Sequence, residues 1–142
     1  MSNFLFLKDE FQVLQNESIK SESNIMDDPE VSAIYSRKAL ENSLKFVYKI
    51  DEDLDATLIT ELDTFGLINN SDFKDLLPEE YISELHLIRK IGNQAVHSIR
   101  AVSSKDSLYA NQCLYKFQRW IVEVYSSVEI DSKMKTRNYK KN

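Results

Sequence analysis

The chain has 142 residues, with 42% hydrophobic and 29% charged, two glycines, two prolines and a single cysteine, Cys113. That is one domain of ordinary size with enough apolar residues for a core, and it excludes a disordered or membrane-spanning class. Scarce Gly and Pro argue against a turn-rich β-sandwich and for long helices, and one cysteine excludes an internal disulfide framework.

Charge is uneven along the chain. The total is −5, from 18 Lys and Arg against 23 Asp and Glu. Positions 132–142 hold Lys133, Lys135, Arg137, Lys140 and Lys141 and no acid, so positions 1–131 carry 13 basic and 23 acidic residues, a net −10. A body this acidic repels a phosphate backbone unless a local basic patch overrides the mean field. The expected organisation is a helical domain over 1–131 and a basic tail or linker over 132–142. The apolar run Phe4-Leu5-Phe6-Leu7 meets Lys8, Asp9 and Glu10 at once, too short for a signal peptide or a spanning helix. A soluble, cytoplasmic protein with no membrane partner is the expectation.

In chain order, the spacing predicts a first helix over roughly 3–18, with Phe4, Leu7, Phe11 and Leu14 on one face, before Ser21-Glu22-Ser23-Asn24 breaks it. A second runs from Asp28-Pro29 to about Ile50. Asp28 caps it, Pro29 suits the first helical position, and Arg37 and Glu41 sit one turn apart. A third, over 54–65, buries Leu54, Leu58, Leu62 and Phe65 and ends at Gly66. A turn at Asn69-Asn70-Ser71-Asp72 precedes a short helical turn carrying Phe73, Leu76 and Leu77. The fourth main segment opens at Pro78-Glu79-Glu80 and reaches about Ile99. A last helix opens at Ser103, with Asp106 at capping-box spacing, and runs to about Val128, carrying Leu108, Leu114, Phe117, Ile121, Val124 and Val128 inward. No stretch alternates with period two. The fold class is all-α, an up-and-down bundle of four main helices plus one short helix.

The chemistry concentrates in the fourth segment. Tyr81, Leu85, Ile88, Gly92, Ala95 and Ile99 form its inward stripe. Gly inside a helix costs about 1 kcal/mol relative to Ala, and close approach of another helix at Gly92 is the simplest compensation. Arg89, Asn93, His97 and Arg100 fall on a polar strip beside that stripe, and His86 lies on the same side. One reading is a phosphate or RNA site, with His97 as acid or base and an Arg on a phosphate oxygen. The other is structural, with Asn93 and His97 bonding to a loop or to the second helix.

Elsewhere Asp51, Glu52, Asp53 and Asp55 lack the spacing of a calcium loop and read as a solvated loop. Tyr109, Tyr115, Tyr125, Phe117 and Trp120 read as core or interface, and Cys113 as an inert buried thiol. Cys113, His86 and His97 fall short of a zinc set, so no metal site is expected. No phosphate-cradling glycine loop and no nuclease, helicase or kinase motif is present.

The stretch Arg89-Lys90-Ile91-Gly92-Asn93-Gln94-Ala95-Val96-His97 resembles the signature of a helical domain at the N-terminus of type I restriction enzyme R (HsdR) subunits. The opening Asn3-Phe4-Leu5-Phe6-Leu7, the segment Arg37-Lys38-Ala39-Leu40-Glu41 after Asp28-Pro29, and Leu58-Ile59-Thr60-Glu61-Leu62 are similar to it as well, so the likeness spans roughly 3–128. The resemblance implies an accessory module of a phage-defence restriction system, needing no cofactor of its own. Its parent would be an ATP- and Mg-dependent DNA endonuclease and translocase. The implied partners are restriction-modification subunits, adjacent nuclease or helicase domains, or nucleic acid, and a homodimer is compatible.

The implied signature and interaction residues are Arg37, Glu41, Arg89, Gly92, Asn93 and His97. The domain also resembles the HEPN group of helical proteins, several of which are metal-independent RNases. Their motif places four to six residues between an Arg and a His, whereas seven separate Arg89 from His97, about 12 Å along an ideal helix. The expected role is therefore non-catalytic. An RNase using His97 with Arg89 or Arg100 is the alternative, and a structural dimerisation domain a third.

Overall fold

The computed structural model describes residues 1–98 and 100–126. All regular structure among them is helical: a 3-10 helix at Asp9–Leu14, then α1 (Gln15–Ser23), α2 (Pro29–Ile50), α3 (Leu58–Glu61), α4 (Thr64–Asn69), α5 (Ser71–Lys74), α6 (Glu79–His97) and α7 (Ser104–Tyr125). The basic tail, Ile99 and Val128 lie outside the described residues. No helix among those described is long and apolar enough to cross a membrane.

Helices α2 and α7 begin where capping chemistry places them. Asp28 accepts from the Val31 N–H at 3.2 Å with Pro29 at the first helical position, and Ser103 accepts from the Asp106 N–H at 3.1 Å. Helix α2 packs against α1, α6 and α7, and α6 packs against α7. Leu40, Leu44 and Val47 of α2 meet Leu85 and Ile88 of α6 and Leu114, Phe117 and Ile121 of α7 in one core cluster. Each large apolar side chain fully buried there contributes about 1.5–3 kcal/mol.

Four expectations change. Phe4, Leu7, Phe11 and Leu14 are all buried, yet no single helix carries them. Asp9 takes a left-handed φ of 55° and turns the chain between Leu7 and Phe11. The Gln15 amide holds the preceding turn, donating to the carbonyls of Leu7 at 3.1 Å and Phe4 at 3.3 Å. Second, the helix expected over 54–65 is two short helices. Leu62 goes extended, and the Asp63 side chain accepts from the Gly66 N–H at 2.8 Å, starting α4 instead of letting Gly66 end α3. Phe65 is consequently half-exposed. Third, Leu108 faces out of α7.

Fourth, Asp51 is buried and not solvated. Its carboxylate accepts from the Tyr125 hydroxyl at 2.6 Å and the Asp53 N–H at 2.9 Å, tying the end of α2 to the end of α7. The aromatic residues divide: Phe117 and Trp120 stack in the core at 6.0 Å, Tyr125 packs edge-on to Trp120, and Tyr109 and Tyr115 stay partly exposed. Cys113 is buried, and desolvation pushes its thiol up to about 11.

A polar seam runs where α1, α2 and α7 meet. The Ser21 hydroxyl lies 2.6 Å from that of Ser36 and 3.3 Å from that of Ser32, and Asn111 donates to it at 3.0 Å. The Gln118 amide donates to Ser43 at 3.1 Å and accepts from Ser18 at 3.0 Å. Small hydroxyls let the helices approach closely, and mutual pairing removes the cost of burying them.

Candidate functional site

A cleft of about 320 Å³ opens between α2, the α3–α4 corner and α6. Arg37, Glu41 and Lys45 recur every four residues along α2 and line one wall. Arg89 and Asn93, one turn apart on α6, line the second. Ile59, Leu62, Asp63, Thr64, Phe65 and Leu67 supply the third.

Gly92 sets how α2 and α6 meet. A Cβ added to it would stand 2.6 Å from Cβ and 2.9 Å from Cδ of Arg37, and 3.2 Å from the Ala33 carbonyl. The Arg37 stem therefore lies directly over the glycine, and the close approach expected at Gly92 is present. Nε of Arg37 is buried and pairs with Glu41 at 3.3 Å, without the alignment of a hydrogen bond.

Arg89 is held from two sides. Its guanidinium lies 5.0 Å over the Phe65 ring, and its Nε donates to Nδ1 of His86 at 3.4 Å. Nε2 of His86 stands 3.0 Å from Oδ1 of Asn69. A guanidinium only donates, so Nδ1 accepts, and the imidazole proton sits on Nε2 and points at Asn69. Desolvation, then the charges of Arg89, Lys90 and Lys74, lower the His86 pKa from its ordinary value, which keeps the ring neutral and able to accept. Phe65 also packs on the His86 ring at 5.3 Å. Among the described residues no carboxylate pairs with Arg89 or Lys45, and neither the Asn93 amide nor the Thr64 hydroxyl is hydrogen-bonded. These groups are available to a ligand.

The structure thus brings together Arg37, Glu41, Arg89 and Asn93, with Gly92 behind them. It does not bring His97 and Arg100 in. His97 is the exposed last residue of α6, and Ser98 turns extended. Arg100 is exposed beyond the helix, its N–H on the Ser98 hydroxyl at 3.0 Å, so the polar strip stops one turn short of it. Asn93 and His97 each lack the loop or α2 partner that the structural reading gave them.

Lys45, Thr64, Phe65 and Asn69 are the site residues that sequence reasoning missed. Lys45 could have been found as the next step of the Arg37-Glu41 spacing, and Phe65 and Asn69 stand one turn apart on α4, both against His86. Among the described residues no three of His, Cys, Asp and Glu stand together as a metal-ligand set. No family model, curated protein or solved structure matches the chain.

Proposed function

We propose that the chain is a non-catalytic helical recognition module, an up-and-down HEPN-like bundle related to the N-terminal domain of type I restriction R subunits. Its role is to position a partner subunit or domain of a restriction or related defence protein. In that setting ATP- and Mg-dependent DNA cleavage belongs to the parent enzyme. The observation that carries the proposal is the convergence of Arg37, Glu41, Arg89 and Asn93, from two helices far apart in sequence, on one cleft. Those are the residues whose pattern prompted the family resemblance; Arg37 and Glu41 pair with each other along one wall, while Arg89 and Asn93 meet no carboxylate or hydrogen-bonding partner across the cleft among the described residues. Acid–base chemistry has less support: the one imidazole bonded to Arg89 is His86, which is committed to Asn69, and His97 does not line the cleft.

The test mixes the purified chain with modification and specificity subunits of a type I restriction system and measures complex formation by light scattering. The expected result is a complex that Arg89→Gln weakens while helicity stays intact. Absence of a complex with any subunit or with DNA overturns the proposal. RNA cleavage that disappears in His97→Ala also overturns it, in favour of a metal-independent RNase.

A further inference from the structure

Among the described residues, the cations of the cleft without a carboxylate partner are Arg89 on one helix wall and Lys45 on the other. Arg89 is pre-oriented: its stem end is fixed by His86 and its face by Phe65, which leaves the two terminal nitrogens of the guanidinium as an open fork. A fork held this way loses little side-chain entropy on binding and matches a carboxylate or phosphate oxygen pair.

Three features select between those anions. Glu41 and Asp63 also stand in the lining, so three cations face two carboxylates and the excess is a single positive charge. A singly charged ligand balances that excess, whereas the second charge of a phosphate monoester meets the two acids. The body over positions 1–131 carries −10, which disfavours a polyanion approaching the same face. Most of the lining is polar, and Ile59, Leu62 and the exposed half of Phe65 supply a smaller apolar floor. A space near the low end of the usual ligand-site range of about 300–1,000 Å³ holds one or two side chains and not a polymer groove.

We infer that the cleft is a docking site for a partner peptide presenting one carboxylate beside one aliphatic side chain, the acid between Arg89 and Lys45 and the aliphatic group on the Leu62–Phe65 floor. This rests on the cleft being the partner-binding site and adds the chemistry of what the partner presents. The Asn93 amide and the Thr64 hydroxyl, both unbonded among the described residues, are the groups placed to meet the peptide backbone.

The test is an NMR titration of the whole chain, following the Arg89 Nε–H and Asn93 amide signals. The probe is N-acetyl-leucyl-glutamyl methylamide, compared with its glutaminyl analogue, inorganic phosphate and adenosine monophosphate. The expected result is saturable shifts of both signals with the glutamyl peptide, with the uncharged analogue about tenfold weaker. Arg89→Met removes the response, and Lys45→Met, an exposed position on α2, weakens it without touching the core. Equal binding of the glutaminyl peptide, tighter binding of phosphate or the nucleotide, or no shift at all overturns the inference. If partner subunits still bind through Arg89 while the peptide does not, the carboxylate assignment falls and the module assignment stands. If the peptide binds while no subunit or DNA does, the module assignment falls and the carboxylate site stands.

Discussion

Gly92 lies against Arg37 so closely that an added Cβ would stand 2.6 Å from the Arg37 Cβ. That neighbour is the root of the side chain and not its flexible end, so relief requires α2 and α6 to move apart. Gly92→Ala gains about 1 kcal/mol of helix propensity and loses about 2–3 kcal/mol to overpacking, the upper part of the usual range because the contact is with the root of a side chain. The expected outcome is a net destabilisation of about 1–2 kcal/mol in urea unfolding, together with displaced Arg37 signals in NMR spectra. An unchanged or raised midpoint would show that the helices part freely here.

Two walls of the cleft are readable from helical spacing, because Arg37 with Glu41 and Arg89 with Asn93 each repeat at one turn on a long helix. Gly92 likewise announces a close approach, since a mid-helix glycine needs compensation. The third wall is not readable that way. Two signals compete within four residues, Asp63 as a helix start and Gly66 as a helix stop, and the cap wins by bonding the Gly66 N–H. That choice turns Phe65 from core to cleft. Nor does hydropathy reveal the seam at Ser32, Ser36 and Ser43. Serine counts as polar, yet the Ser43 hydroxyl donates to the Ala39 carbonyl one turn back at 2.7 Å while accepting from Gln118.

That seam makes Gln118 a stability residue. Its amide serves Ser43 on α2 and Ser18 on α1 at once, and it is fully buried. Gln118→Ala removes both bonds and opens a cavity the helices cannot fully close. A loss of about 2–4 kcal/mol is expected, read as a lower denaturant midpoint. Gln118→Leu keeps the volume and removes both bonds, while the Ser43 and Ser18 hydroxyls keep the Ala39 and Leu14 carbonyls, so its loss should be smaller, about 1–2 kcal/mol. If the leucine variant is the less stable of the two, volume is not what the seam needs.

Tyr125 and Asp51 make the corresponding tie between α2 and α7. Burial, then the Asp51 charge, push the Tyr125 phenol up, so it stays a donor at every ordinary pH. Tyr125→Phe leaves a buried carboxylate with one donor fewer, at a cost of about 1.5–3 kcal/mol. Urea unfolding of wild type and variant at neutral pH checks this, and an unchanged midpoint would take the hydroxyl out of the tie between the two helix ends.

His86 gives the fold a pH dependence of its own. Its pKa in the folded chain lies below the ordinary imidazole value, so between those two values the unfolded chain binds more protons than the folded one. Stability therefore rises with pH across that window. The contribution is fully present above about 6.5, the unfolded value, and is lost as pH falls through the folded value. Protonation also converts Nδ1 from an acceptor into a donor facing the Arg89 Nε–H, which repels the guanidinium and frees its stem. The Arg89 fork should thus loosen at the pH where His86 titrates. In NMR the His86 ring is expected to titrate below its ordinary value, with the Arg89 Nε signal moving on the same curve. A ring that titrates at or above the ordinary value, or an Arg89 signal indifferent to it, would dissolve the link between this histidine and the cleft. Asn69→Ala extends the test: without its acceptor the Nε2–H tautomer is held by the Arg89 donor alone, so the Arg89 signal should broaden or shift even where His86 stays neutral.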